Sequence, residues 1–172
     1  MVEELFTRFD NDGAISIAYL YCNYQRQYEQ NLKDLFASLL KQLIQEQPSI
    51  PNSVTTLYNR YKDKRTRPSL GEILGILQTV AAAYLRVFII VDTLDECQIS
   101  DGCRQRFLSG LFNLQATCRV NLFATSRPIS SIEKEFEGNS KLEIRASEED
   151  VRRYLEGYMF RLPRFVAQSL KL

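Results

Sequence analysis

The sequence predicts an α/β fold, with a parallel sheet between two layers of helices, from two observations. Short apolar runs without periodicity, of which Val87–Val91 is the clearest, are typical of strands buried on both faces. Segments of helical period separate these runs along the chain. Because strands that alternate with helices pair in parallel through right-handed crossovers, we expect a three-layer α/β/α sandwich.

Each predicted helix places its apolar residues three and four positions apart, so that they share one face. Pro48 and Pro51 end the first of these helices. Ser147, which precedes a run of acidic residues, is expected to cap the last. The predicted strands are 15–22, 87–92, 120–125 and 141–144, and the predicted helices are 31–45, 53–62, 69–84, 104–115, a short one near 132 and a last one within 147–161.

The composition indicates one ordinary globular domain over residues 1–172, since 45% of the residues are hydrophobic and 25% are charged. The net charge of +1 gives no reason to expect a nucleic-acid partner or an anionic membrane. No apolar run approaches the roughly 20 residues that span a bilayer, and the acidic N-terminal stretch does not resemble a signal peptide. We therefore expect a cytoplasmic location.

The residue types exclude several kinds of chemistry. The chain has no histidine, so Ser-His-Asp and Cys-His catalysis are excluded. Its four cysteines form no C-x-x-C pair, which argues against a zinc site and favours reduced thiols. Any chemistry must therefore come from carboxylates, hydroxyls, cationic groups and a metal ion.

Polar residues follow two successive predicted strands at their carboxyl ends, where parallel sheets bind ligands. Asp92, Asp95 and Glu96 follow the first strand, and Ser126 and Arg127 follow the second. A carboxylate held at the end of a strand can bind Mg²⁺ directly or through water. An acid on the next turn can orient or deprotonate the water that attacks a γ-phosphate, and a cation on the neighbouring strand can reach that phosphate.

A simpler interpretation exists for each of these residues. Asp92 could merely end its strand, with Asp95 and Glu96 capping the next helix, and Arg127 could form a surface salt bridge. Taken alone, the arginine would favour the simpler interpretation. Two such signals at the ends of two successive strands together favour a phosphate site.

Five segments are informative as a set: IAYLYCNY (17–24), LFASLLKQL (35–43), RVFIIVDTLDEC (86–97), NLFATSRP (121–128) and LEIRASEEDVRRYLEGYM (142–159). They resemble the NACHT domain of fungal NLR-like and ankyrin-repeat proteins, within the STAND class of signalling NTPases. The resemblance extends over nearly the whole chain. It implies a P-loop NTPase-like sheet and a role in signal transduction.

The resemblance also implies a role for each candidate residue. Asp92 matches the magnesium-associated Walker B acid, and Asp95 and Glu96 match the acidic pair of the family, with Glu96 favoured for activating water. Arg127 matches the sensor arginine and, with the adjacent Ser126, would contact the nucleotide. The ligands implied by the family are Mg²⁺ and ATP or GTP.

The chain departs from the family pattern in two places. Thr93 stands two positions before the acidic pair, where the family has Gly or Ala. The phosphate-binding loop G-x-x-x-x-G-K-[ST] does not occur, and Met1–Phe9 resembles the remainder of the helix that follows that loop. We therefore expect a NACHT domain truncated at its N-terminus, with weak nucleotide binding. We also expect a gap in the sheet beside Val87–Val91, which is closed by direct pairing of the flanking strands or by partner contacts, or which leaves the fold marginally stable.

Three functions are compatible with these patterns. The first is part of a nucleotide-dependent signalling switch, in which ATP favours an open, self-associating state and ADP a closed one. The second is a non-catalytic interaction module that acts through contacts with homologous NACHT domains. The third is a metal-dependent phosphohydrolase that uses Asp92, Asp95 and Glu96 without a phosphate loop.

Overall fold

The fold was described from a computed structural model, which covers residues 2–9, 12–26, 30–64, 66–97 and 100–159. The chain divides into two compact units, Met1–Glu137 and Gly138–Leu172. The first unit contains the sheet and all of the candidate site residues. The second contains the last helix of the described chain.

A small parallel sheet forms the centre of the first unit. Its strands are β1 (Ile15–Tyr21), β2 (Arg86–Asp92) and β3 (Val120–Ala124), in the spatial order β1-β2-β3. Both neighbours pair with β2 in parallel, over its full length with β1 and from Val87 onward with β3. The predicted α/β class is therefore confirmed as a three-stranded parallel sheet flanked by helices.

The gap expected beside Val87–Val91 is closed by direct pairing of the flanking strands, which is one of the three outcomes expected from the sequence. This segment lies in the middle strand and has a hydrogen-bonded neighbour on each side. The physical reason is that the helical crossovers before and after β2 bring β1 and β3 directly to its two edges.

The predicted fourth strand at 141–144 is not formed, because residues 139–147 have neither helical nor strand pairing. Only two residues of this segment, Leu142 and Ile144, are apolar. The described part of the second unit contains no other strand with which to form a ladder. The helix predicted after it is present to Met159, and residues 160 and 161 lie outside the described chain.

The helices begin and end close to their predicted positions, because capping residues and apolar spacing mark them in the sequence. Asn31 accepts a hydrogen bond from the backbone of Asp34, and Ser69 forms a reciprocal capping box with Glu72. The helices are α1 (Val2–Phe9), α2 (Leu32–Gln45), α3 (Asn52–Lys62), α4 (Leu70–Ala82), α5 (Cys103–Thr117), α6 (Ser130–Glu135) and α7 (Glu148–Met159). None of the described helices is long and apolar enough to cross a bilayer.

The main core lies on one face of the sheet, where α2, α4 and α5 pack. The rings of Phe36 on α2 and Phe107 on α5 lie 5.1 Å apart in this core. Gly110 lets the two helices approach, since a Cβ there would lie 2.4 Å from Cζ of Phe36. Close packing of these helices fixes the crossovers on either side of β2, and so the positions of the strand ends.

Helix α1 lies against the opposite face of the sheet. Phe6 contacts Tyr19 of β1 edge to face, at 6.2 Å between ring centroids, and Phe9 stacks on Phe88 of β2 at 5.3 Å. Tyr19 and Phe88 alternate with the core residues along their strands, which places them on the second face. Helices on both faces make the first unit compatible with an incomplete α/β/α sandwich.

Candidate functional site

The candidate residues lie at the carboxyl edge of the sheet, where β2 and β3 end side by side. The chain leaves β2 at Asp92, passes through Thr93 and makes one 3₁₀ turn over Leu94–Glu96. Thr93 has left-handed backbone angles, φ 53° and ψ 49°. This reversal returns the acidic turn to the strand ends, so that Asp95 reaches Arg127 beyond β3.

Left-handed backbone at a β-branched residue is strained, at a typical cost of about 1–3 kcal/mol. Thr93 is held there by its own hydroxyl, which lies 2.7 Å from the carbonyl oxygen of Cys22 and 2.8 Å from that of Asp92. The following amide, of Leu94, donates to the carbonyl oxygen of Thr125 at 2.8 Å. The positive φ explains why glycine suits this position, and the two neighbouring strands supply the bonds that stabilise threonine there.

Asp92 lies at the end of the central strand, where its side chain meets Thr125. One carboxylate oxygen, Oδ1, accepts a hydrogen bond from the Thr125 hydroxyl. The same hydroxyl accepts the backbone N–H of Thr93 at 2.9 Å. Asp92 therefore does more than end its strand, because a residue of the neighbouring strand orients its carboxylate.

Asp95 and Arg127 form a hydrogen-bonded ion pair between the two strand ends. Nε of Arg127 donates to Oδ2 of Asp95 at 2.5 Å, and the backbone N–H of Arg127 donates to Oδ1 at 3.2 Å. The Asp95 side chain is 3% exposed and that of Arg127 is 74% exposed. The pair thus joins a buried carboxylate to a guanidinium that faces solvent.

The electrostatics of the pair favour the charged form of both groups. Burial by itself would raise the pKa of Asp95, but the hydrogen bonds from Arg127 and its charge outweigh burial, so that the pKa lies below the usual value for aspartate. The hydrogen bond and charge of Asp95 in turn raise the pKa of Arg127. A role for Asp95 in activating water would require Arg127 to release it first.

Glu96 lies on the opposite side of the turn, next to β1. Its Oε2 accepts the backbone N–H of Tyr24 at 3.2 Å, and its own N–H donates to the carbonyl oxygen of Thr93 at 2.8 Å. Asp95 and Glu96 do not cap the following helix, because α5 begins at Cys103, seven positions after Glu96, with Gly102 as its N-cap. Of the acidic pair, Asp95 is the residue that Arg127 binds through both carboxylate oxygens.

Ser126 follows β3 between the two residues that contact the acids. Its hydroxyl donates to the carbonyl oxygen of Arg127 at 2.7 Å, which uses its hydrogen locally. The oxygen lone pairs remain able to accept a bond. The sequence interpretation placed Ser126 beside a nucleotide but overlooked Thr125, whose position immediately after the last strand residue was the available signal.

Two buried thiols, those of Cys22 and Cys97, lie beneath the turn. A hydrogen bond to Cys97, then burial, then nearby negative charge raise the pKa of the Cys22 thiol. Burial also raises the pKa of Cys103. The thiols of Cys22 and Cys103 therefore stay protonated at neutral pH, and the cysteines of the described chain form no disulfide.

The donor set at the sheet edge fits one kind of metal ion. No group of three His, Cys, Asp or Glu within the described residues is arranged to hold a metal ion. Asp92 offers a carboxylate that Thr125 orients through one oxygen, whereas both oxygens of Asp95 are bound by Arg127. Mg²⁺ commonly binds one or two carboxylates together with waters and substrate phosphates. The site therefore suits a Mg²⁺ ion that arrives with a phosphorylated ligand, for which Asp92 would be the protein's contribution.

Comparison with known proteins identifies the family of this chain. None of the curated proteins compared with the chain matches it. One family model, described as Nephrocystin 3, N-terminal, matches residues 1–127. The match covers more than half of the chain and every site residue described above, ending at Arg127 itself. The chain therefore belongs to the Nephrocystin 3, N-terminal family.

Proposed function

We propose that this chain is the metal- and phosphate-sensing half of a nucleotide-dependent signalling switch of the NACHT type. One observation carries the proposal: two residues that follow β3 bond two acids at the end of β2, its last residue and a residue of the turn after it. Thr125 holds Asp92, and Arg127 holds Asp95. An ion or phosphate that breaks a bond at the end of one strand would therefore change the hydrogen bonds at the end of the other strand.

Each residue has a part in such a switch. Asp92 would hold a Mg²⁺ ion through its carboxylate, and the ion would neutralise part of the phosphate charge. Arg127 turns its exposed guanidinium toward a γ-phosphate, which competes with Asp95 for it. Glu96 orients or deprotonates a water on the side of the turn that faces β1. Ser126 accepts a hydrogen bond from the ligand at the same edge, since its own hydrogen is donated to the carbonyl oxygen of Arg127.

The affinity of the chain for ATP or GTP should be low. In P-loop NTPases, backbone N–H groups of a glycine-rich loop and an invariant lysine hold the phosphates. The sequence of this chain contains no G-x-x-x-x-G-K-[ST] segment. Its contribution to a nucleotide site is then limited to the metal and to one terminal phosphate, and a complete site needs phosphate-binding groups from another segment or another protein.

A second candidate, a non-catalytic interaction module, is favoured by the difference between the two sheet edges. On the outer edge of β1, Gln42 bonds the backbone of Tyr19 with its carbonyl oxygen at 2.9 Å and its amide nitrogen at 2.8 Å. The outer edge of β3 carries no charged residue, and its Phe123 is 43% exposed. In this candidate function, the uncharged edge strand β3 pairs with another chain, here a second copy or an intact homologue.

A third possibility, a phosphohydrolase without a phosphate loop, has less support. Such enzymes hold one or two metal ions through several protein ligands. Asp95 is already bound by Arg127 and lies on a different side of the turn from Glu96. The described residues contain no group of three suitable ligands.

Equilibrium binding of a fluorescent ATP analogue distinguishes these functions. For the switch, we expect weak binding that requires Mg²⁺, is lost in Asp92→Asn and is kept in the control Asp63→Asn at the exposed end of α3. For the module, we expect no binding, and association with a full-length homologue that Phe123→Lys weakens and Tyr58→Lys leaves unchanged. Nucleotide binding that does not depend on Asp92 would contradict the proposed switch.

A further inference from the structure

Thr125 forms four hydrogen bonds with the end of β2 and the turn that follows it, two through its backbone and two through its hydroxyl. Its backbone N–H donates to the carbonyl oxygen of Val91 at 2.9 Å, and its carbonyl oxygen accepts the N–H of Leu94 at 2.8 Å. Its hydroxyl bonds Asp92 and Thr93, the two residues between. One residue of β3's end thus contacts every residue from Val91 to Leu94.

The two bonds of the hydroxyl define its direction. A threonine hydroxyl has one hydrogen to donate and two lone pairs to accept with. Because the backbone N–H of Thr93 can only donate, the hydroxyl accepts from it at 2.9 Å. The single hydrogen is then given to Oδ1 of Asp92. The arrangement leaves one carboxylate oxygen, Oδ2, with no hydrogen-bond donor among the described residues.

We propose that Thr125 is the positioning residue of this site: it fixes the Asp92 carboxylate through Oδ1 so that Oδ2 faces a cation. Only the identity of that cation, a Mg²⁺ ion bound with phosphate, rests on the proposed function. A carboxylate already held in one orientation loses little freedom when it binds an ion, which strengthens binding. The strained turn at Thr93 is held by the same hydroxyl, so that orientation and backbone are fixed together.

Substitutions at Thr125 separate this role from simple packing. Thr125→Val keeps the shape of the side chain and removes the hydroxyl, whereas Thr125→Ser keeps the hydroxyl and removes a methyl group. Thr79→Val is the matched control, because the hydroxyl of Thr79 bonds only within α4, to the carbonyl oxygen of Gly75 at 2.9 Å. Thr125→Ala replaces the valine variant if the latter fails to fold.

Two measurements by NMR on the whole chain do not depend on any ligand. Three-bond couplings report the side-chain rotamer of Asp92, and hydrogen exchange reports the N–H of Thr93. We expect one rotamer in the wild type and in Thr125→Ser, several in Thr125→Val, and exchange at Thr93 about tenfold faster in Thr125→Val, since about one hydrogen bond's worth of protection is lost. Thr79→Val should change neither.

Titration with MgCl₂ in the presence of the ATP analogue then tests whether the orientation of the Asp92 carboxylate strengthens the binding of Mg²⁺. We expect affinity for Mg²⁺ to fall about tenfold in Thr125→Val and to recover in Thr125→Ser. A single Asp92 rotamer in Thr125→Val, or a serine variant that behaves as the valine variant does, would overturn the positioning role. A wild-type chain that binds no Mg²⁺ would overturn the proposed function, and the Asp92 rotamer would still decide the role of Thr125.

Discussion

Arg127 holds both carboxylate oxygens of Asp95 across the ends of two adjacent strands, with its side-chain Nε at 2.5 Å and its backbone N–H at 3.2 Å. The relationship is asymmetric, because the carboxylate is buried and the guanidinium faces solvent. A phosphate that draws Arg127 away would leave a buried charge without its partner. The ion pair therefore links the presence of an anion at the sheet edge to the stability of the acidic turn.

Arg127→Ala should destabilise the chain more than Asp95→Asn does. The alanine variant leaves a buried carboxylate with only a backbone donor, whereas asparagine removes the charge at an expected cost of about 1–2 kcal/mol for the altered hydrogen bonds. The free energies of unfolding of the two variants are measured by urea denaturation at neutral pH. The double variant should be more stable than Arg127→Ala alone, and equal or lower stability of the double variant would contradict the ion pair as described.

The free energy of unfolding should depend on pH through the ionisation of Asp95. Because the pKa of Asp95 is lower in the folded chain than its ordinary value, the unfolded chain binds the proton more readily as pH falls. The contribution of ionised Asp95 to the free energy of unfolding is therefore complete above the ordinary aspartate pKa of about 3.9. It is lost as the pH falls through the lower pKa that Asp95 has in the folded chain.

The comparison of wild type with Asp95→Asn by urea denaturation from pH 7 to pH 3 isolates this contribution. The difference in free energy of unfolding should stay constant between pH 7 and about pH 5 and shrink below about pH 4. Asp63→Asn, at the exposed C-cap of α3, is the control for a change of one charge. A difference that grows toward low pH would mean that the pKa of Asp95 is raised in the folded chain.

Substitutions of Thr93 should separate backbone strain from side-chain bonding. Thr93→Val keeps a β-branched residue at φ 53° and removes the hydroxyl that bonds Cys22 and Asp92, so we expect a loss of about 2 kcal/mol. Thr93→Gly loses the same bonds but adopts the positive φ without strain, and should lie within about 1 kcal/mol of wild type. Thermal unfolding of both variants measures the difference, and a glycine variant less stable than the valine variant would refute the strained turn.

Sequence patterns predicted the elements well where local chemistry determines them. The capping residues Asn31 and Ser69 mark the starts of α2 and α4 within one residue, and the apolar run at Val87–Val91 marks the central strand. Spatial order was not predictable in the same way, because the pairing partners of a parallel strand are set by crossovers far away in the chain. The sequence therefore left open how the gap beside β2 is closed, and the sheet closes it by direct pairing of β1 and β3 with β2.

The candidate site was predicted in its residues more than in its bonding. Asp92, Asp95 and Arg127 do lie at one sheet edge, since strand ends in a parallel sheet converge. Whether an arginine there points to solvent or to a neighbouring acid depends on the backbone of the turn, and the left-handed angles of Thr93 have no local sequence signal in a threonine. Thr125 was missed because a hydroxyl at a strand end is also an ordinary strand residue.

The close approach of α2 and α5 gives a final prediction about the core that supports the site. Gly110→Ala would place a methyl group 2.4 Å from Cζ of Phe36, so the ring must move within a closely packed core, at an expected cost of about 1–3 kcal/mol. Gly75→Ala is the matched control, because no atom lies within 4 Å of the added Cβ and alanine favours the interior of α4 by up to about 1 kcal/mol. In urea denaturation, the free energy of unfolding should therefore fall in Gly110→Ala and rise in Gly75→Ala. Phe36→Leu should recover part of the loss in the Gly110→Ala background, and a Gly110→Ala variant as stable as wild type would show that the two helices do not need the glycine to meet.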